Sequence, residues 1–155
     1  RVFTMLDEID RRILRVLQTD GRITNQDLAQ QVGLSPAACH ERFRRLRERG
    51  YITGFAALLD PAMMDRALLI FVEIQLDRTT AETFDQFAAA VRRAPEILEC
   101  HMVAGGFDYL IKARVEDMTA YRAFLGGTLV DLPGVRETRT YAVLEEVKNT
   151  VVMAV

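Results

Sequence analysis

The spacing of hydrophobic positions changes along the chain and marks out its organisation. Over the first fifty residues the spacing is helical. Ile9, Ile13, Val16 and Leu17 recur at i, i+4, i+7 and i+8, which predicts an amphipathic helix opening near Leu6. Asp7, Glu8 and Asp10 put negative charge in its first turn, where the helix dipole favours it, and Asp20-Gly21 stops it. Thr24 caps a second helix, with Asp27 three residues on as a variant capping box and Leu28, Ala29 and Val32 as the buried face. Gly33 makes a tight turn. Ser35 as cap and Pro36 as first residue then open a third helix, which runs to about Arg49 and is closed by Gly50. Its apolar face is Cys39, Phe43 and Leu46.

Two helices joined by a short, glycine-containing turn form a helix-turn-helix unit, here Thr24 to Arg49. Tyr51 to Leu59 is strand-like and is broken by Asp60-Pro61, so it reads as a short strand and hinge. Beyond it the grammar changes. Leu68–Leu76 is an apolar strand, Ala81–Arg93 a helix with Phe84, Phe87, Ala88 and Val91 on one face, and Ile97–Val103 a strand. After a turn at Gly105-Gly106-Phe107-Asp108 come a strand Tyr109–Val115, a helix Thr119–Val130, a Pro133-Gly134 turn and a strand Val135–Leu144. The order β-α-β-β-α-β is the ferredoxin-like arrangement. Val151–Val155 is read as an additional short strand. The fold class is therefore α+β: residues 1–52 a three-helix, winged helix-turn-helix, residues 53–64 a strand and hinge, and residues 65–155 a ferredoxin-like domain.

Half of the residues are hydrophobic and 27% are charged, ordinary for a globular protein. No apolar run reaches the roughly 18 residues of a membrane span, and Arg1-Val2-Phe3-Thr4-Met5 lacks the apolar stretch of a signal peptide. The expectation is a cytoplasmic protein with no membrane partner. Net charge is −2, but its distribution is uneven: residues 1–50 hold ten Arg against seven acids, a net of +3, and the remaining residues ten bases against fifteen acids, a net of −5. Arg42, Arg44, Arg45, Arg47 and Arg49 concentrate the basic charge on the third helix, as expected of a half that meets phosphate.

On a wheel of roughly 100° per residue, Ala37, Glu41, Arg44, Arg45 and Glu48 fall opposite the apolar face, with Ala38 and Arg42 on a flank. Small residues near the helix start allow close approach to base edges. Arg pairs bidentately with guanine, Ala can touch a thymine methyl, and Glu41 can accept from cytosine N4 or orient an Arg. The plainer alternative is a solvated, charged helix face. Cys39 and Cys100 lie in different halves, each followed by a His (His40, His101); adjacent residues point apart, so no metal site and no cofactor are expected. An enzyme would need a nucleophile, base and orienter, and neither Cys100-His101 nor Asp108-Tyr109 supplies the set. In the second half, Gly105-Gly106 lets backbone N–H groups approach a carboxylate while Asp108 can take an ammonium, a clamp for a zwitterion. The competing readings are a hairpin turn in which Asp108 bonds its own backbone, and a pure assembly module without ligand.

Three stretches, Leu6-Asp7-Glu8-Ile9-Asp10-Arg11-Arg12-Ile13-Leu14, Asp20-Gly21-Arg22-Ile23-Thr24-Asn25 and Val32-Gly33-Leu34-Ser35-Pro36, resemble the DNA-binding half of the Lrp/AsnC, or feast/famine, regulators. Gly105 to Tyr109, Leu132 to Val135 and Glu137 to Tyr141 resemble the effector half of the same family. The resemblance implies a sequence-specific DNA-binding transcriptional regulator, not an enzyme, that binds double-stranded DNA through Ser35, Ala37, Ala38, His40, Glu41, Arg42, Arg44 and Arg45. It implies a nucleoid-associated homodimer, assembling to an octamer, whose DNA binding responds to a small amino acid, leucine first. The alternatives are an activator responding to another amino acid such as proline and a ligand-independent DNA-organising scaffold. Carried over by residue, Gly105, Gly106 and Asp108 (with Tyr109) match the loop that holds the amino-acid backbone; Thr138 and Thr140 match polar positions facing the same pocket; and Met102 and Tyr141 match positions that affect the response.

Overall fold

The computed structural model describes residues 6–155. Residues 1–5, whose sequence is unlike a signal peptide, lie outside the described residues. The chain divides into two compact units, one made of residues 1–57 with 148–155 and the other of residues 58–147.

In the first unit, α1 (Glu8–Thr19), α2 (Asn25–Val32) and α3 (Pro36–Glu48) form where the caps place them. Asp7, Thr24 and Ser35 each accept a hydrogen bond from the backbone N–H three residues on, which satisfies one of the orphan donors at a helix start. Gly33 ends α2 in a left-handed conformation that a side chain would disfavour. Ile13, Leu14, Leu28, Ala29, Val32, Cys39 and Leu46 make the core. The expected strand at Tyr51–Leu59 does not form. The Tyr51 and Ile52 N–H groups fold back onto the Leu46 carbonyl, and the residues after them join no ladder. A strand needs a neighbouring strand for its backbone groups, and the ladders among the described residues join only strands of the second unit. Instead Phe55 lies over Gly21, where an added Cβ would come within 2.9 Å of its ring, and its centroid is 6.3 Å from that of Phe43.

The second unit is a four-stranded antiparallel sheet in the order β2-β3-β1-β4, with β1 (Leu68–Leu76), β2 (Ile97–Met102), β3 (Tyr109–Val115) and β4 (Val135–Ala142). Helices α4 (Ala81–Arg93) and α5 (Met118–Phe124) complete the β-α-β-β-α-β order. Past Phe124 the helix widens into a π-helical turn, Leu125–Leu129, that includes Gly126 and Gly127, where the sequence predicted continuous α-helix. Ile70, Val72, Ile74 and Leu76 of β1 alternate into the core with Phe87, Val91, Ile111, Phe124 and Leu129. The other face of the sheet carries Phe71, Glu73 and Gln75, only half-buried. Val143 N–H donates to the Leu69 carbonyl, and Glu146 then accepts from the buried Arg114 guanidinium at 2.7 Å. Residues 151–155 form no strand; they belong to the first unit.

Two glycines separate backbone strain from crowding. Gly33 has φ 72° and open space where a Cβ would stand; Gly134 has φ 74° and its Cβ would meet Thr83 Cγ2 at 2.6 Å. We expect Gly33→Ala to cost the first unit about 1 kcal/mol and Gly134→Ala to cost the second about 2 kcal/mol or more, as read in denaturant unfolding of each variant. Equal losses would show that the contact with Thr83 relaxes freely.

Candidate DNA interface and effector site

The outward face of α3 is the candidate DNA interface. Ala37, Ala38, His40, Glu41 and Arg44 are exposed, and Ser35 spends its hydroxyl on the Ala38 N–H. Asn25, at the start of α2, ties the two helix starts together by donating from Nδ2 to the Pro36 carbonyl at 2.9 Å. The first turn of α3 is therefore fixed and bare, with only small side chains on it.

The arginines that the sequence groups together have different surroundings. Arg42 turns inward to α1, where its Nη1 donates to Asp7 Oδ2 at 2.6 Å and to Asp10 Oδ1 at 2.8 Å, with 22% of its side chain exposed. The Asp10 N–H and the Arg42 guanidinium hold the Asp7 carboxyl below its usual range. Arg42 thus joins α3 to α1, which its flank position on the wheel left open, and it is not presented as a free cation. Arg44 is on the solvent face, clamped between Glu41 and Glu48 of its own helix. Its hydrogen bond holds the Glu41 carboxyl below its usual range. Exposed pairs of this kind are weak because water screens them, so phosphate or a base edge can displace them. Arg45 is half-buried and its Nε has no hydrogen-bond partner. Beside them His40, Phe43, Arg44, Arg47, Ile52 and Thr53 line a groove of about 490 Å³ along the helix. Phe43, whose spacing placed it in the core, is only partly buried, and the Arg47 guanidinium lies over its ring at 5.8 Å.

In the second unit the glycine turn has a specific geometry. Neither Gly105 nor Gly106 has a left-handed backbone, and a Cβ on either would meet nothing within 4 Å. The turn itself does not require glycine. Asp108 does not bond its own backbone: its N–H donates to the Ile74 carbonyl at 2.9 Å and its Oδ2 accepts from Leu76 N–H at 2.7 Å. It fastens the turn to the end of β1, which leaves its Oδ1 without a bond among the described residues. Gly106 and Phe107 border a small pocket with Glu73, Gln75, Glu137 and Arg139 on the helix-free face.

The residues expected to share that pocket divide between the two faces of the sheet. Thr138 and Thr140 pair across to Ile74 and Val72, whose side chains are fully buried, so both threonines face the helices. Thr140 accepts from the Tyr121 hydroxyl at 2.6 Å. Met102 pairs with Tyr109, whose ring is buried and stacked on Phe87 at 4.4 Å; both line a groove of about 460 Å³ between α4 and β2, with Cys100 among its walls. Burial pushes the Cys100 thiol up to about 11, which keeps it protonated and unreactive. Tyr141 is on the opposite face, where its hydroxyl donates to Glu73 at 3.1 Å beside the Glu73–Arg139 pair. The chain therefore brings Gly106, Glu73, Gln75, Glu137 and Arg139 together and does not bring Thr138 and Thr140 to them. The period of two along β4 carried that signal: Glu137, Arg139 and Tyr141 alternate with the threonines. Among the described residues no cluster of three or more His, Cys, Asp or Glu could hold a metal ion, and no helix is long and apolar enough to cross a membrane.

Residues 6–53 match the winged helix-turn-helix DNA-binding family model and residues 69–153 the Lrp/AsnC ligand binding domain. The leucine-responsive regulatory protein of Salmonella typhimurium is 58% identical over 145 residues, 94% of this chain and 88% of that protein. The leucine-responsive regulatory protein of Escherichia coli K12 is 57% identical over the same shares. Among solved structures, a Neisseria meningitidis transcriptional regulator in complex with L-methionine superposes with a TM-score of 0.92 at 37% identity, covering 97% of each chain. An AsnC family regulator from Agrobacterium tumefaciens reaches 0.92 at 33%, covering 96% of this chain and 97% of that one. The capped three-helix unit, the one-sided sheet and these matches agree, and the chain belongs to the Lrp/AsnC family of amino-acid-responsive, DNA-binding transcriptional regulators.

Proposed function

We propose that α3 enters the major groove of double-stranded DNA, with Ala37, Ala38, His40 and Glu41 against base edges and Arg44 and Arg45 supplying charge. The observation that carries this is the first turn of α3, exposed, capped and free of large side chains. Arg42 acts through the fold, because its two carboxylate partners hold it against α1. The chain works as a homodimer that assembles further, to an octamer, on the bacterial nucleoid. The helix-free face of its sheet supports pairing: half-buried Phe71 lies there among the Glu73–Arg139 and Glu99–Lys112 pairs, and a sheet face that no helix covers favours a partner.

The effector is a free amino acid, with leucine first, because close relatives are named for leucine, and methionine next, from the ligand of the Neisseria protein. Gly105 and Gly106, which the backbone does not require, take its carboxylate on their N–H groups, and the free Oδ1 of Asp108 takes its ammonium. Thr138 and Thr140 then act from the helix side, through the packing of β4 rather than by touching the ligand. An effector shifts assembly only by its difference in affinity between assemblies, so ligand and DNA footprint change together.

Three measurements test this reading. Arg44→Ala should lower operator affinity by roughly ten- to hundredfold with unchanged unfolding, whereas Arg42→Ala should destabilise the helix-turn-helix by about 1–2 kcal/mol. The reverse pattern would exchange their roles. Sedimentation of the full chain at micromolar concentration should give a dimer or larger, and a monomer refutes the sheet pairing. Finally, thermal stabilisation by leucine or methionine should be lost in Asp108→Asn, which keeps an acceptor for Leu76 N–H but lacks the charge. Asp108→Ala is the poorer probe, since it strands that N–H at a cost of about 1–3 kcal/mol. An Asp108→Asn protein that responds at the wild-type ligand concentration removes Asp108 from the site.

A further inference from the structure

Segment 148–155 belongs to the DNA-binding unit although the whole effector half lies between it and residue 57. It has no strand ladder, yet it meets α1 through a defined set of bonds. Gln18 Nε2 donates to the Met153 carbonyl at 2.9 Å, and Met153 N–H donates to Gln18 Oε1 at 2.7 Å. One side-chain amide thereby satisfies both backbone groups of a residue, as a neighbouring strand would. Arg15, three residues earlier on the same face of α1, donates from Nη1 to the Val155 carbonyl at 2.9 Å. The Val155 side chain packs against the core of the helix-turn-helix, while Val151 and Met153 remain exposed. Met153 and Val155, two residues apart, are thus held by backbone bonds and one apolar contact.

We propose that α1 carries a capture site for an extended chain, formed by Arg15 and Gln18, and that segment 151–155 of the same chain is its occupant. Own-chain occupancy follows from connectivity, because the segment is tethered to the site and its effective concentration there is high. The DNA-binding module is then discontinuous. Two stretches of chain join it to the effector half: one before residue 58 and one after residue 147. A functional consequence rests on the dimer and DNA readings above. Two connections limit the reach of each helix-turn-helix and so narrow the half-site spacing that one dimer can span.

Hydrogen exchange on the full chain tests the capture site without reference to DNA. The Met153 amide should be protected in the wild type, and Gln18→Ala should reduce that protection roughly three- to tenfold, the worth of a hydrogen bond, without changing β1 or β3. An unprotected Met153 amide in the wild type, or protection that survives Gln18→Ala, overturns the site. Complementation identifies the occupant. Gln18→Ala chains are isotopically labelled and mixed with Met153→Pro chains, which lack the N–H that Gln18 accepts. Own-chain capture leaves the labelled Met153 amide unprotected in the mixed dimer. Return of protection means that the segment crosses to the other copy and overturns own-chain occupancy. For the tether, DNA carrying two half-sites at graded spacings should show a broader optimum with Gln18→Ala and with Met153→Pro than with the wild type, and unchanged affinity for a single half-site. An optimum as narrow as that of the wild type overturns the tether. Failure of the wild type to bind DNA at all counts against the α3 interface, and the exchange result then stands by itself.

Discussion

In β1, Ile70, Val72, Ile74 and Leu76 alternate with Leu69, Phe71, Glu73 and Gln75, and helices cover only the first of these two faces. This one-sided cover governs the effector half. Each neighbouring strand inherits the alternation through its register, so a shift of one residue would exchange every side chain between core and open face. Thr138 and Thr140 are drawn to the helices because they stand opposite Ile74 and Val72. Arg139 and Tyr141 are drawn to the open face because they stand opposite Glu73 and Phe71. The polar network on that face, with Glu99 joined to Lys112 and Glu73 to Arg139, is a consequence of the same constraint.

The turn at Gly105-Gly106 depends on β1 in a second way. Asp108 fastens it by accepting from Leu76 N–H at the point where the β1–β4 register shifts, between Gln75 and Leu76. A register irregularity frees a backbone donor that a regular ladder would engage, and Asp108 takes it. One carboxylate therefore anchors the loop with one oxygen and offers the other.

In the DNA-binding unit, charge is divided by depth. Arg42 is half-buried against two carboxylates and holds α3 to α1, while Arg44 is exposed among carboxylates that water screens. Two residues with the same side chain, two positions apart on one helix, thus differ in setting: one is tied to a neighbouring helix and the other stands in solvent. The difference is a rotation of about 160° about the helix axis.

Much of this protein is legible in its sequence. The caps at Thr24 and Ser35, the left-handed Gly33, the helical spacing of Ile13 with Leu17, and the alternation in β1 are local features, and their consequences appear within a few residues of their cause. They determined the helix-turn-helix and the β-α-β-β-α-β order, while the family was legible only through the resemblance of motif stretches such as Val32-Gly33-Leu34-Ser35-Pro36 and Gly105 to Tyr109. Tertiary structure decided what depends on distant partners. Arg42 finds Asp7 across 35 residues, Asp108 finds Leu76 across 32, and Gln18 finds Met153 across 135. The same limit explains the two strands that the sequence predicted and the fold did not form. Tyr51–Leu59 and Val151–Val155 have extended, apolar character, but a strand exists only where a neighbour offers it a ladder. One segment found an aromatic ring and a glycine, the other a glutamine side chain, and neither partner is written in the residues of the segment itself.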